Sequence, residues 1–219
     1  MGRARAARPL SPMADPFSYM APAAGAAFDF KEQGSRFLAR LAPCASPEEA
    51  ALHLEGLKRR YHDATHACWA WRCGWGKRLR ERCGDAGEPS GTAGPPILRA
   101  LQDVEASDAS LVVVRYFGGT KLGTGGLARA YRDAARGVIA ASILVPRVLT
   151  STLYCEMPYG AQGAFRHLAE KRGVRLSAES FGEEWAVEAA VPLASLQDFE
   201  ARLVELKEAW KGGVRWKLK

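Results

Sequence analysis

The chain has 219 residues, 47% apolar, 9% aromatic and 25% charged, an ordinary globular composition with enough length for two modest domains. Five cysteines at irregular spacings do not make a secreted disulfide framework, so reduced thiols and a cytoplasmic setting are expected, and no run reaches the roughly 18 apolar residues a membrane span needs. The net charge of +7 sits in the first part: residues 1–149 hold 21 Lys and Arg against 14 Asp and Glu, while residues 150–219 hold 10 of each, which fits either an anionic partner or a plain solvated surface.

Residues 1–22 are biased to Arg, Ala and Pro without the apolar stretch of a secretory signal, and read as a disordered arm in which Met13 and Met20 leave other start sites open. "AFDFKEQGSRFLARLAPC" alternates as two strands joined near Gly34. "SPEEAALHLEGLKRRYH" opens with Ser46, Pro47 and Glu49, a capping box with proline at the first helical position, and predicts a helix. "ATHACWAWRCGW" alternates again, with His66, Cys68, Ala70 and Arg72 on one face and Ala67, Trp69 and Trp71 on the other. One face is expected in the core while the other offers polar groups to a partner.

"GWGKRLRERCGDAGEPSGTAGPPIL" reads as a long loop, rich in glycine, proline and cations, that ends in a short proline-led helix. "SLVVVRYF" is almost continuously apolar and predicts a central strand covered on both faces. Gly118, Gly119, Gly123, Gly125 and Gly126 then precede the helix "GLARAYRDAARGVIAA". Glycines in front of a helix let a ligand approach the backbone and offer free amides at a positive dipole end. With Arg115, Lys121, Arg129 and Arg132 nearby, this is a candidate anion site, most plainly for phosphate; a tight turn that only permits close packing is the alternative.

From residue 149 onward the period gives strand, helix, strand, strand, helix, strand, a βαββαβ order of the ferredoxin-like kind. Leu196, Phe199, Leu203 and Leu206 recur at helical spacing and read as core, and no catalytic constellation stands out there. The expected layout is therefore an α+β chain with an arm at 1–22, a first domain at 23–145 and a second at 146–219.

Sharper motifs fail. A P-loop would need lysine where Thr124 stands, and a dinucleotide fingerprint on Gly123, Gly125 and Ala128 lacks the following acidic residue. A zinc site on His66, Cys68, Cys73 and Cys83 has no Cys-x-x-Cys pair, so neither a metal nor another cofactor is expected.

Together, "DATHACWAWR", "DAGEPSGTAGPPIL" and "VVVRYFGGTKLGTGGLARAY" resemble the IMPACT family, and the two-part layout resembles its bacterial YigZ branch over roughly residues 24–219. The resemblance implies a first domain folded like the second domain of ribosomal small-subunit protein 5, of left-handed βαβ type. It also implies a second domain similar to the late ferredoxin-like domains of elongation factor G. His66, Glu88, Ser90, Gly91, Thr92, Gly94, Arg115, Tyr116, Gly118, Gly119, Lys121, Gly123, Gly126, Leu127 and Tyr131 occupy the family's motif positions. Where the family has two acids before "GEP", this chain has Asp85 and Ala86, which puts a paired-carboxylate role in doubt.

The family's eukaryotic members look like regulators of translation. Two readings stay open. In the first, the chain binds RNA or the ribosome, with phosphates held by Arg80, Arg115, Lys121 and Arg129, by the turn around Ser90 and Thr92, and by the glycine loop, while Trp75 or Tyr116 stacks on bases. In the second, the same site takes a small phosphorylated or nucleotide ligand, with His66 and Glu88 as acid and base candidates. A protein-binding regulator is a third class.

Overall fold

The computed structural model describes residues 17–219. They divide into two compact units, Tyr19–Arg147, and Val148–Lys219 together with Phe17 and Ser18. The expected arm needs correction at its end: β1 (Ser18–Pro22) is a strand that pairs with β7 (Leu144–Val148). Residues 1–16 of that arm, Met13 included, lie outside the described residues.

The first unit is built on a five-stranded sheet. Its elements are β2 (Ala26–Glu32), β3 (Ser35–Pro43), α1 (Pro47–Arg60), β4 (His66–Cys73), β5 (Arg80–Gly84), α2 (Gly94–Asp103), β6 (Ala109–Tyr116) and α3 (Gly123–Ala140). Strand order is β2-β3-β6-β4-β5, every pairing antiparallel, so β3 and β4 run parallel on either side of β6 and α1 crosses between them. Gln33 and Gly34, both at positive φ, make the two-residue turn from β2 to β3.

Helix α1 starts where its cap residues demand. The Glu49 amide donates to Ser46 Oγ at 3.2 Å, and the Glu49 carboxylate accepts from the Ala45 amide at 2.8 Å. Strand β6 is buried from Ala109 to Arg115, as its unbroken apolar run predicts. Helices α2 and α3 cover one sheet face, packing Ile97, Leu101, Tyr131 and Val138 on Phe37, Leu41, Leu111 and Val113. On the other face Leu54 and Leu57 of α1 meet Leu38, Val112, Val114 and Trp69. Both faces of β4 are therefore occupied, and neither is left open for a partner as the alternation suggested.

The stretch read as one long loop is also corrected. A single 3-10 turn (Gly76–Arg78) leads into β5, which pairs with β4 from Trp69–Gly84 to Cys73–Arg80. The arginines that suggested loop fit an edge strand, where half the side chains face water. Trp75, a candidate for stacking on bases, is half-buried and stacks on Tyr19 with ring centroids 5.5 Å apart.

The second unit follows the expected βαββαβ order: β8 (Thr150–Met157), α4 (Gln162–Lys171), β9 (Arg175–Phe181), β10 (Trp185–Pro192), α5 (Leu196–Ala209) and β11 (Arg215–Leu218). The strands lie antiparallel in the order β11-β8-β10-β9. Phe165 packs edge-on against Trp185 and Phe199, centroids 5.6 and 6.0 Å away, in a core that Leu203 and Met157 complete. The fold is a two-domain α+β arrangement. Among the described residues, no helix is long and apolar enough to cross a membrane.

Candidate functional site

The end of the sheet where β6 stops carries most of the motif residues. The antiparallel register sets His66 of β4 opposite Arg115 of β6, and Arg115 opposite Phe37 of β3. The turn after β5 and the glycine turn after β6 both leave from this end.

At its centre is a buried charge cluster. Arg115 Nη1 donates to Glu88 Oε1 at 2.6 Å, the residues being only 4% and 8% exposed. Arg115 Nη2 donates to Ser35 Oγ at 3.2 Å, and the same hydroxyl accepts from the Gly118 amide at 3.2 Å. The Tyr131 hydroxyl, reaching from α3, donates to Glu88 Oε1 at 2.9 Å. Burial first, then Cys68 and Glu88, raises the Tyr131 phenol well above its ordinary value, so it stays a donor. The guanidinium lies 5.5 Å from the ring centroids of both Phe37 and Phe117. His66 Nε2 sits 3.8 Å from Glu88 Oε1, while its Nδ1 donates to the Ala86 carbonyl at 3.0 Å. Cys68 is fully buried, donates to the Asp85 carbonyl at 2.9 Å and has a thiol pushed up to about 12 by burial.

Asp85 organises the neighbouring turn. Its Oδ1 accepts from the amides of Ala93 (2.9 Å) and Gly94 (2.8 Å), and Oδ2 from that of Gly91 (2.8 Å), so one carboxylate caps α2 and folds "EPSGTAG" over itself. Burial works to raise Asp85, but these amide bonds outweigh it and hold the carboxyl below its usual range. A depressed carboxyl contributes stability above its unfolded value near pH 4 and loses it as the pH falls through the lower folded value. Asp85→Asn should therefore flatten the acid side of the stability profile, and urea melts between about pH 2 and pH 5 check it. Ala86, where the family has a second acid, sits at φ +46° and supplies its carbonyl to His66.

The candidate anion ligands separate into three groups. Glu88, Thr92 and Arg115 are turned inward. Thr92 is 5% exposed and its hydroxyl donates to the Pro89 carbonyl at 2.7 Å, while Arg115 and Glu88 pair with each other. Ser90, Gly91, Gly118, Gly119, Lys121, Gly123, Gly125 and Arg129 are exposed, with Gly126 half-buried, at this end of the first unit. Arg80 lies elsewhere: it pairs with Cys73, beyond Arg72 opposite Ala109, at the far end of a strand roughly 20 Å long.

The helix boundary also moves. Gly123, Gly125 and Gly126 do not precede α3 but form its first turn. Among the described residues no side chain caps that turn; Leu122 stands in the cap position. A Cβ added at Gly119, Gly123 or Gly125 would meet no atom within 4 Å. Packing therefore does not require glycine at those places, although positive φ favours it at Gly119 (+90°) and Gly123 (+67°) and leaves Gly125 with neither reason, whereas packing does require it at Gly118, whose backbone crosses that of Gly34.

Sequence reasoning missed Ser35 as the hub between Arg115 and the glycine turn, and Asp63, whose carboxylate accepts from the Tyr116 hydroxyl at 2.8 Å. Neither has a local signal; both act through pairing across the sheet.

Residues 33–139 match the Impact N-terminal domain. An IMPACT family member of Haemophilus influenzae is 34% identical over 191 residues, covering 85% of this chain and 91% of its own. IMPACT family member YigZ of Escherichia coli is 31% identical over 191 residues, 86% of this chain and 93% of its own. A crystal structure described as a hypothetical protein superimposes with a TM-score of 0.66 at 27% identity over 91% of this chain and 96% of that one. The chain belongs to the IMPACT family.

Proposed function

We propose that this protein binds RNA or the ribosome in a role linked to translation, using the open end of α3 as its phosphate contact. The observation that carries the reading is the first turn of α3: no described side chain caps it, Gly123 and Gly125 have free space above them, and the exposed cations Lys121 and Arg129 flank it. Such a turn with two exposed cations suits an anion. The charge excess of the first part is consistent with a polyanion, and family resemblance to translation regulators supplies the setting.

The test is binding to ribosomal subunits and to single-stranded RNA across a salt series. The Lys121→Ala, Arg129→Ala double variant is expected to bind on the order of tenfold more weakly and to lower the slope of log affinity against log salt by about 1 to 2. Wild-type affinity and slope in that variant would sink the reading. Arg80→Ala separates two ligand sizes: a strand that spans the sheet loses affinity, and a ligand confined to the glycine turn does not.

A second reading, a small phosphorylated or nucleotide ligand at the same turn, is favoured by the partly exposed His66 beside Glu88. It predicts thermal stabilisation by one such ligand, with no RNA retention, and loss of any turnover in His66→Ala.

A further inference from the structure

Two thiols outside this end of the sheet come together without an assigned role. Cys44 follows β3 and Cys73 ends β4; their Sγ atoms are 3.5 Å apart and each residue is 2% exposed. Their chain positions are far apart, and β6 lies between the two strands in the sheet. Asp108, just before β6, ties both sides: its carbonyl accepts from the Cys44 amide at 2.8 Å, and its Oδ1 from the Gly74 amide at 2.9 Å. Ala50 and Trp71 pack around the pair. The backbones that carry the sulfurs are thus held by one residue, and side-chain rotation alone has to supply the remaining approach to bonding distance.

We propose that Cys44 and Cys73 form a reversible intramolecular disulfide under peroxide, a staple that fastens the entry of α1 to the end of β4. One thiol loses its proton and attacks peroxide; the O–O bond breaks, hydroxide leaves, and a sulfenic acid forms. The second sulfur, as thiolate, attacks the first, the S–O bond breaks and hydroxide leaves again. The two thiol protons neutralise the two hydroxides, so two thiols lose two electrons and one peroxide becomes two waters.

The surroundings set the rate. Burial raises Cys44, helped by Glu49 and Asp108 and opposed by hydrogen bonds with Cys73 and the Ser46 carbonyl; burial, the Cys44 thiol and Asp108 push Cys73 up to about 12 against Arg80. The thiolate is scarce near neutrality, so the bond forms slowly and faster as the pH rises. Once formed, its burial shields it from bulky reductants.

The experiment treats the full-length reduced protein with hydrogen peroxide at pH 7 and pH 9, then counts thiols after unfolding and maps peptides. The expected result is loss of two of the five thiols, a mass lower by ~2 Da, a peptide linking 44 to 73 and faster formation at pH 9. The thermal midpoint should rise by about 5–10 °C and return when dithiothreitol is added. Cys83→Ser should behave as wild type, and Cys44→Ser should not cross-link. The wild-type peptide map decides alone if the serine variants do not fold. Retention of all five thiols, a link through Cys83 or between molecules, or a midpoint that does not rise overturns the proposal.

Discussion

Glu88→Gln is expected to destabilise the first domain by about 3 kcal/mol, a fall of roughly 10 °C in its thermal midpoint. The substitution keeps shape and removes charge. Arg115, 4% exposed, then faces a neutral amide oxygen in place of its counter-charge, keeps the Ser35 hydroxyl, and among the described residues its Nε already has no acceptor. An uncompensated buried guanidinium is what makes breaking such a pair costly; the pair itself adds little over an apolar replacement. It follows that Glu88→Gln with Arg115→Met should recover most of the loss, and that Tyr131→Phe, which removes one donor to a carboxylate, should cost about 1 kcal/mol. Urea melts of the two singles and the double, closed as a cycle, measure the coupling. Wild-type stability in Glu88→Gln would mean that the cluster does not anchor this end of the sheet. Because the same carboxylate stands 3.8 Å from His66 Nε2, lost RNA binding in this variant says nothing about contact unless folding has been checked first.

How much of this was legible depended on how local the signal was. Ser46, Pro47 and Glu49 announce α1 within four residues, and the cap hydrogen bonds fall where those side chains place them. The second unit's elements read correctly because each carries its own period, and Trp185 and Phe199 mark the faces that meet. Strand β5 was hidden because "RERCG" has the composition of a loop, and only its pairing with β4 makes it a strand. The start of α3 was placed too late since glycines argue against helix, and here three of them lie in the first turn. At the site, sequence found His66, Glu88, Arg115 and the glycines as motif members but not their division of labour. Arg115 and Glu88 are 27 positions apart, and only the His66–Arg115 register reveals that they neutralise each other. The same register removes Arg80 from the group.

Glycine positions in the turn after β6 separate structure from function, and Gly118→Ala should be the most damaging. Its new Cβ would lie deep inside contact distance of the Gly34 carbonyl and the Ser35 nitrogen, while Gly34, at φ +81°, is equally constrained: its own Cβ would come within 2.8 Å of the Gly118 carbonyl oxygen. The new Cβ meets backbone atoms, so no flexible side chain can swing away to relieve the clash. A loss of about 3 kcal/mol or more is expected, together with loosening of the Ser35 hydroxyl that joins Gly118 to Arg115. Gly125→Ala meets no atom within 4 Å and replaces glycine by a better helix former, so stability should stay level or rise by up to about 1 kcal/mol. If phosphate approaches the backbone there, the added methyl should nonetheless weaken RNA binding several-fold. Thermal melts and RNA titrations on the two variants test both statements. A stable Gly125→Ala that binds less tightly assigns this glycine to the ligand; one that is stable and binds normally assigns the open turn to neither packing nor phosphate.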